Sequence, residues 1–262
     1  MMTNVATQKF KSEKERNITI KIGYAGCKIF YSKKLDEFKF RSSDIIEEKD
    51  SENNIMDLIY HFSFVDCPGH ESFMNNMLTG TSVMDMAFLV EDISSDKIPK
   101  IQTKEHMIAL SNSDITNIIV LANKCDLVKK TKIEANKEKL CDFIEEYYEE
   151  GLDIIPTIAQ KGVNLEYVVK SMLDNIKDYK SNINDKLYGV VIRSFDINKP
   201  NIKIEDYKGG VLGGSIKSGL LKIGDYIQIN PGIVKFDKKL KVWRAEPIVT
   251  KVETLNADKT SL

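Results

Sequence analysis

The run Ile118 to Ala122, IIVLA, is apolar at every position, and this limits the architectures open to the chain. A strand with one wetted face alternates apolar and polar residues, whereas a continuously apolar one must be covered on both faces, as in a parallel sheet flanked by helices. Neighbouring segments agree. Leu58 to Val65 (LIYHFSFV) reads as a strand rich in aromatic and branched residues, Met86 to Val90 as a short apolar strand, and Asp153 to Pro156 as another. Helical spacing separates them. It runs through QTKEHMIALSNS, and between Thr131 and Tyr148, where Ile133, Leu140, Phe143, Ile144 and Tyr147 share a face. Leu165, Val168, Val169, Met172, Leu173 and Ile176 follow the i, i+3, i+4, i+7, i+8, i+11 template. Strands alternating with helices predict an α/β domain with a mixed sheet.

After the charged connector Lys177 to Lys186 the pattern changes to short strands punctuated by glycine: YGVVIRSFDI, GGVLGGSI, YIQINP and LKVWRAEPIVTKVETL. That spacing predicts an antiparallel β-barrel or sandwich, with domains at residues 1–184 and 185–262. Ser32 to Asn54 is rich in Lys, Asp, Glu, Ser and Asn, and is expected to form an exposed insertion or mobile hairpin tip. The net charge of -1 argues against nucleic-acid binding through bulk positive charge. Cys27, Cys67, Cys125 and Cys141 show no CxxC spacing, so neither a disulfide framework nor a zinc knuckle is predicted, and a reducing compartment fits. No apolar run approaches the roughly 18 residues of a membrane span. The polar start, MMTNVATQKFKSEKER, is unlike a signal peptide, so the expected location is cytoplasmic, with no membrane partner.

Chemistry concentrates in a few places. Phe64 to Asp85, FVDCPGHESFMNNMLTGTSVMD, reads as a strand ending in an acid, a Pro-Gly turn with a histidine, then a helix. In a nucleotide switch Asp66 would hold magnesium through water. The Gly69 N–H would meet the terminal phosphate, where a larger side chain would block the approach, and His70 would lie beside the attacking water. DxxG alone is weak, and a second one runs from Asp206 to Gly209. Its neighbours decide.

Asn123-Lys124-Cys125-Asp126 follows the buried run at the end where α/β sheets bind ligands. A carboxylate at Asp126 can accept from both N1–H and the 2-amino group of guanine, with Asn123 bracing the loop and the Lys124 stem along the base. The plain alternative is an Asn/Asp turn after a strand. In Ile158-Ala159-Gln160 the Ala159 N–H can point at the base oxygen. Thr19 can supply a hydroxyl to magnesium, although threonine also simply suits a strand. His61 and His106 are given no role, and Lys235 to Lys241 reads as a solvated loop.

Taken in order, these stretches resemble a translational GTPase, and their wording is most similar to the gamma subunit of translation initiation factor 2. RNITIKIGYA resembles that family's first switch, FVDCPGH its second, NKCD its guanine reader and IPTIAQKGVNLE its last base-binding loop. VIRSFDINKP, GGVLGGSI and SGLLKIGDYIQINPGIV are similar to its second domain, a β-barrel. The resemblance implies an incomplete P-loop-GTPase-like domain followed by a partial barrel. It implies GTP or GDP and magnesium as cofactors, and initiator methionyl-tRNA, alpha and beta subunits and the small ribosomal subunit as partners. Carried over by position, Thr19 and Asp66 serve magnesium, Gly69 the phosphate, His70 the water, and Asn123, Lys124, Asp126 and Ala159 the base.

There are departures from the family. No GxxxxGK[ST] occurs and only 17 residues precede Ile18. The family's corresponding strand would lie mid-sheet, between Leu58 to Val65 and Met86 to Val90. The chain alone is therefore expected to bind GTP barely. The family's zinc-binding cysteines are missing, so no zinc is expected, and the barrel is expected to be cut short. Ile158 stands where a hydroxyl residue is usual. The alternative is a non-hydrolysing scaffold that keeps docking surfaces for tRNA and partner subunits.

Overall fold

The computed structural model describes Thr7, Thr19 and residues 22–69, 74–113, 115–176, 183–257 and 260–261. They group into two compact units, both discontinuous in sequence. One comprises Met1–Ala25, Ser63–Ser181 and Gly189–Lys217; the other comprises Gly26–Phe62, Asn182–Tyr188 and Ser218–Leu262.

The first unit is built on a parallel sheet of order β4-β5-β6: β4 (Met86–Asp92), β5 (Asn117–Asn123) and β6 (Ile154–Pro156). Ile118, Ile119, Val120 and Ala122 are all at most 4% exposed, as a continuously apolar strand requires. On one side of this sheet, α2 (Ile101–Ser111) contributes Met107 and Leu110, and α3 (Lys130–Glu145) contributes Leu140, Phe143 and Ile144. With Ala87, Leu89, Ile118 and Val120 these form one apolar cluster. α4 (Leu165–Ile176) lies against β5 and buries Val168, Val169 and Met172, three of the residues its periodicity picks out. Each such side chain contributes about 1.5–3 kcal/mol of burial free energy. Asn136, on α3, is buried because its amide donates to the Ile93 and Ser95 carbonyls, which pins the loop after β4. α1 (Met74–Thr81) follows the turn after β3.

A second sheet has the order β2-β1-β3, with β1 (Gly23–Ser32), β2 (Glu37–Ser42) and β3 (Asp57–Asp66). β3 and β4, which the resemblance sets on either side of a mid-sheet strand, thus belong to different sheets; the Phe64 and Phe88 rings stack at 6.4 Å.

The polar stretch from Ser32 to Asn54 is not the loose insertion its composition predicts. β1 and β2 form an antiparallel hairpin with Tyr31 opposite Phe38, and the chain beyond it closes on itself around Asp50. That carboxylate accepts from the Ser32 hydroxyl at 2.8 Å and from the Glu52 and Asn54 backbone N–H groups, each at 2.9 Å. Buried Lys28 donates to the Ile45 carbonyl at 2.8 Å, and Met56 is buried beside this closure. A polar segment can pack when its polar groups are paired internally. Burial alone would push the Asp50 carboxyl up, but the Asn54 N–H, the Ser32 hydroxyl, the Asn54 side chain and the Glu52 N–H outweigh it and hold it at about 2. The folded value lies below the ordinary 3.8, so this stabilisation is complete above about pH 4 and is lost as pH falls through about 2. Thermal unfolding of the natural chain and of Asp50→Ala, followed from pH 5 to 2, should show the natural chain's advantage shrinking toward pH 2. A gap independent of pH would refute this role.

Beyond residue 183 the described chain holds strands and one short 3-10 turn, Ile204–Asp206. β7 (Tyr188–Phe195) pairs with β8 (Val211–Ser218). β9 (Tyr226–Asp237) forms an antiparallel hairpin with β10 (Val242–Lys251), and the short strands β11 (Asn256–Ala257) and β12 (Thr260–Ser261) are likewise antiparallel. The β9/β10 register slips between Glu246 and Ile248, opposite Gly232, whose φ is +75°. A Cβ there would sit 2.1 Å from the Glu246 carbonyl oxygen, so only glycine fits. The architecture is α/β followed by barrel-type antiparallel strands. Among the described residues no helix is long and apolar enough to cross a membrane.

Candidate functional site

The parallel sheet delivers three loops to one edge. β4 and β5 run in register to the pair Asp92 and Asn123, and the Thr157 N–H donates to the Ala122 carbonyl at 2.8 Å, bringing the segment after β6 alongside. Asn123 ends β5, and its Oδ1 accepts the Ala159 N–H at 3.0 Å, with the Thr157 hydroxyl at 3.4 Å. Asn123 thus braces the loop after β6, as the sequence suggests, and Ala159 directs its N–H toward this brace. Lys124 adopts the left-handed conformation (φ 65°, ψ 36°), uncommon for a residue with a Cβ, and a 3-10 turn over Cys125–Leu127 follows. The Lys124 ammonium meets Asp92 Oδ2 at 2.7 Å, where Lys100 arrives at 3.1 Å. Ser94 donates to the other Asp92 oxygen through its N–H and its hydroxyl. Burial alone would raise the Asp92 carboxyl, but Lys124, Ser94 and Lys100 overcome it and hold it well below the usual carboxylate range. The Lys124 stem is therefore fixed by a charge on the neighbouring strand end.

Asp126 stands at the head of the next turn. Its Oδ2 receives the Lys161 ammonium at 2.9 Å, and this hydrogen bond is the main cause of its lowered pKa. The carboxylate is ionised at neutral pH and acceptor-only, with about four lone-pair sites of which the ammonium takes one. Such a group fits a ligand edge carrying two N–H donors.

The other predicted group collects at the end of β3. Asp66 is its last residue, and its Oδ2 accepts from the Thr19 hydroxyl at 3.4 Å and from the Thr7 hydroxyl at 2.6 Å. Gly69 lies two residues beyond the strand's next position; a Cβ there would come within 3.6 Å of His106 Cε1, so anything longer than alanine would press on that ring. Burial holds the His106 imidazole below its ordinary value, against an upward pull from Glu105, so it is neutral at pH 7. His70 lies outside the described residues. Among the described residues no cluster of three or more acids, histidines or cysteines is arranged to hold a metal by itself. Magnesium needs less, since it is bound through one or two protein groups with water and phosphate completing its shell. Asp66 beside Thr19 is chemically suited to that part.

Residues 2–182 match the family described as the elongation factor Tu GTP binding domain. The chain belongs to that family. Within the elongation factor Tu GTP-binding family, it is similar along its whole length to the eukaryotic translation initiation factor 2 subunit gamma of Schizosaccharomyces pombe. The identity is 38% over 272 residues, covering 100% of this chain and 60% of the relative. The corresponding subunit 3 of Drosophila melanogaster is 36% identical over 273 residues, covering 100% and 56%. The chain thus spans well under two thirds of either relative's length. Among solved structures, a bacterial selenocysteine-specific elongation factor EF-Sec superposes with a TM-score of 0.64 at 20% identity, covering 100% of this chain and 36% of that one. The elongation factor SelB of Methanococcus maripaludis, solved with the GTP analogue GppNHp, gives 0.64 at 21%, covering 93% and 43%. These likenesses show a shared fold. The resemblance read from RNITIKIGYA, FVDCPGH, NKCD and IPTIAQKGVNLE is therefore matched.

Three participants were not anticipated from the sequence: Asp92, Lys161 and Thr7. Asp92 carried a signal, being an acid at the end of an apolar strand run, where α/β sheets place ligand-facing groups. Lys161 lies one residue beyond the Ile158-Ala159-Gln160 tripeptide. Thr7 sits in a polar segment without a pattern.

Proposed function

We propose that this chain acts as a GTP-binding gamma-type subunit of translation initiation factor 2, taking part in delivery of initiator methionyl-tRNA to the small ribosomal subunit in the cytoplasm, with alpha and beta subunits as partners. In this reading residues 1–184 form the nucleotide-binding domain and 185–262 part of the tRNA-factor barrel. Asp126 reads the guanine N1–H and 2-amino group, while Asn123 and Ala159 shape the pocket and Lys124 supports the base. Thr19 and Asp66 serve magnesium, Gly69 the terminal phosphate and His70 the attacking water. Bound GTP would supply a terminal phosphoryl group whose presence the loop around Gly69 senses.

One observation carries the reading: the Asn123 to Ala159 brace, at 3.0 Å, sets an ionised Asp126 on the edge where the parallel strands end. The similarity to initiation factor 2 gamma subunits supports the partners and the cargo. Saturation-transfer NMR on the full chain with magnesium reads weak binding and tests it. GDP should give a clear response and ADP at equal concentration little; equal responses would sink the reading.

A second reading, a scaffold that keeps docking surfaces without GTP hydrolysis, is favoured by the separation of β3 and β4 into different sheets and by the engagement of Asp66 with Thr7. It is distinguished by silence toward both nucleotides together with retention of initiator tRNA in filter binding.

A further inference from the structure

Lys161 is the last residue of the 3-10 turn Ala159–Lys161, whose first residue is tied to Asn123. It is 64% exposed at its side chain, yet its ammonium lies 2.9 Å from Oδ2 of Asp126, itself 28% exposed. The base-reading carboxylate therefore carries a cation on one of its two oxygens. This is a different arrangement from a bare carboxylate, and it changes which substituent a purine can present at C2.

Guanine turns an amino donor at C2 toward Asp126. A purine with an oxo group there turns an acceptor. Against a bare carboxylate, that oxygen would meet a negative oxygen and leave both unpaired, and unpaired polar groups are what makes such sites reject a near-isostere. Lys161 reverses the sign at this corner. An ammonium has three N–H donors, and one is used on Oδ2. Another can be given to a C2 oxygen while the N1–H still reaches Asp126. Guanine loses nothing, since Oδ2 keeps a lone pair for the amino group.

We propose that Lys161 is a specificity-determining residue that relaxes discrimination at purine C2, so that the site accepts xanthosine nucleotides as well as guanosine nucleotides. This rests on the assignment of Asp126 as the guanine reader. A lysine that merely kept Asp126 ionised or held the loop would act on all purines alike, so the ratio between bases separates the two roles.

The test is saturation-transfer NMR titration of the full chain with magnesium and GDP, XDP or IDP. IDP, with only hydrogen at C2, is the internal reference. In the natural chain XDP should bind within roughly ten-fold of GDP, and Lys161→Met should widen the GDP-over-XDP ratio by roughly 10- to 100-fold, the worth of one hydrogen bond to a charged group. Lys161→Arg, which keeps the donors, should hold that ratio near the natural one. The GDP-over-IDP ratio should move little. An unchanged GDP-over-XDP ratio in Lys161→Met, with GDP still bound, overturns the inference alone. No response to any purine diphosphate from the natural chain overturns both the inference and the base-site assignment beneath it.

Discussion

Replacing Asp126 by alanine should lower affinity for GDP by roughly 10²- to 10⁴-fold, since two hydrogen bonds to a charged acceptor at about 1.5–3 kcal/mol each are lost together. The fold should survive. Asp126 lies in a surface turn, and its one strong partner, Lys161, is a solvated lysine that can return to water. The control is the weak ADP response, which does not depend on N1–H or a 2-amino donor and should be unaltered. Saturation-transfer titration of both nucleotides against both chains measures it. An Asp126→Ala chain that still preferred GDP would show that the base is read elsewhere.

The largest expected loss of stability lies on the helix behind the sheet. Leu140 is fully buried in the cluster joining α2, α3 and the parallel strands, and shortening it to alanine leaves a cavity that neighbouring strands cannot collapse into. Such changes cost about 2–5 kcal/mol, and each kcal/mol shifts Tm by about 2–4 °C in a chain of this size. Lys137→Ala on the exposed face of the same helix should stay within about 0.5 kcal/mol. Thermal melts of both variants settle it. Equal melting points would mean that α3 does not bury the face assigned to it.

Where apolar period decides structure, the sequence was sufficient. Val168, Val169 and Met172 recur at helical spacing and are buried on α4; the IIVLA run is covered as its composition demands. The reading failed where structure depends on polar groups meeting across the chain. Ser32 and Asp50 are 18 residues apart, so a segment read as solvated is held closed by a bond that no local pattern contains. The helix predicted to Tyr148 ends at Glu145, because the Tyr147 and Tyr148 N–H groups both turn back to the Ile144 carbonyl. The site divides in the same way. Asn123, Lys124 and Asp126 are visible as adjacent residues after a strand. Their partners are not, since Asp92 is 32 residues from Lys124, Lys161 is 35 from Asp126 and Thr7 is 59 from Asp66.

Asn123, Lys124 and Asp126 are each anchored to a different partner, on Ala159, Asp92 and Lys161. A side chain already held in place has little freedom left to surrender, which spares about 0.5–1.5 kcal/mol for each one a ligand touches. The base edge is thus a rigid template. Asp66 is in the opposite condition: it is occupied by the hydroxyls of Thr7 and Thr19, and an incoming cation must first displace the shorter of these contacts. A nucleotide reaching from one end to the other would accordingly be recognised by its base before its phosphates are received.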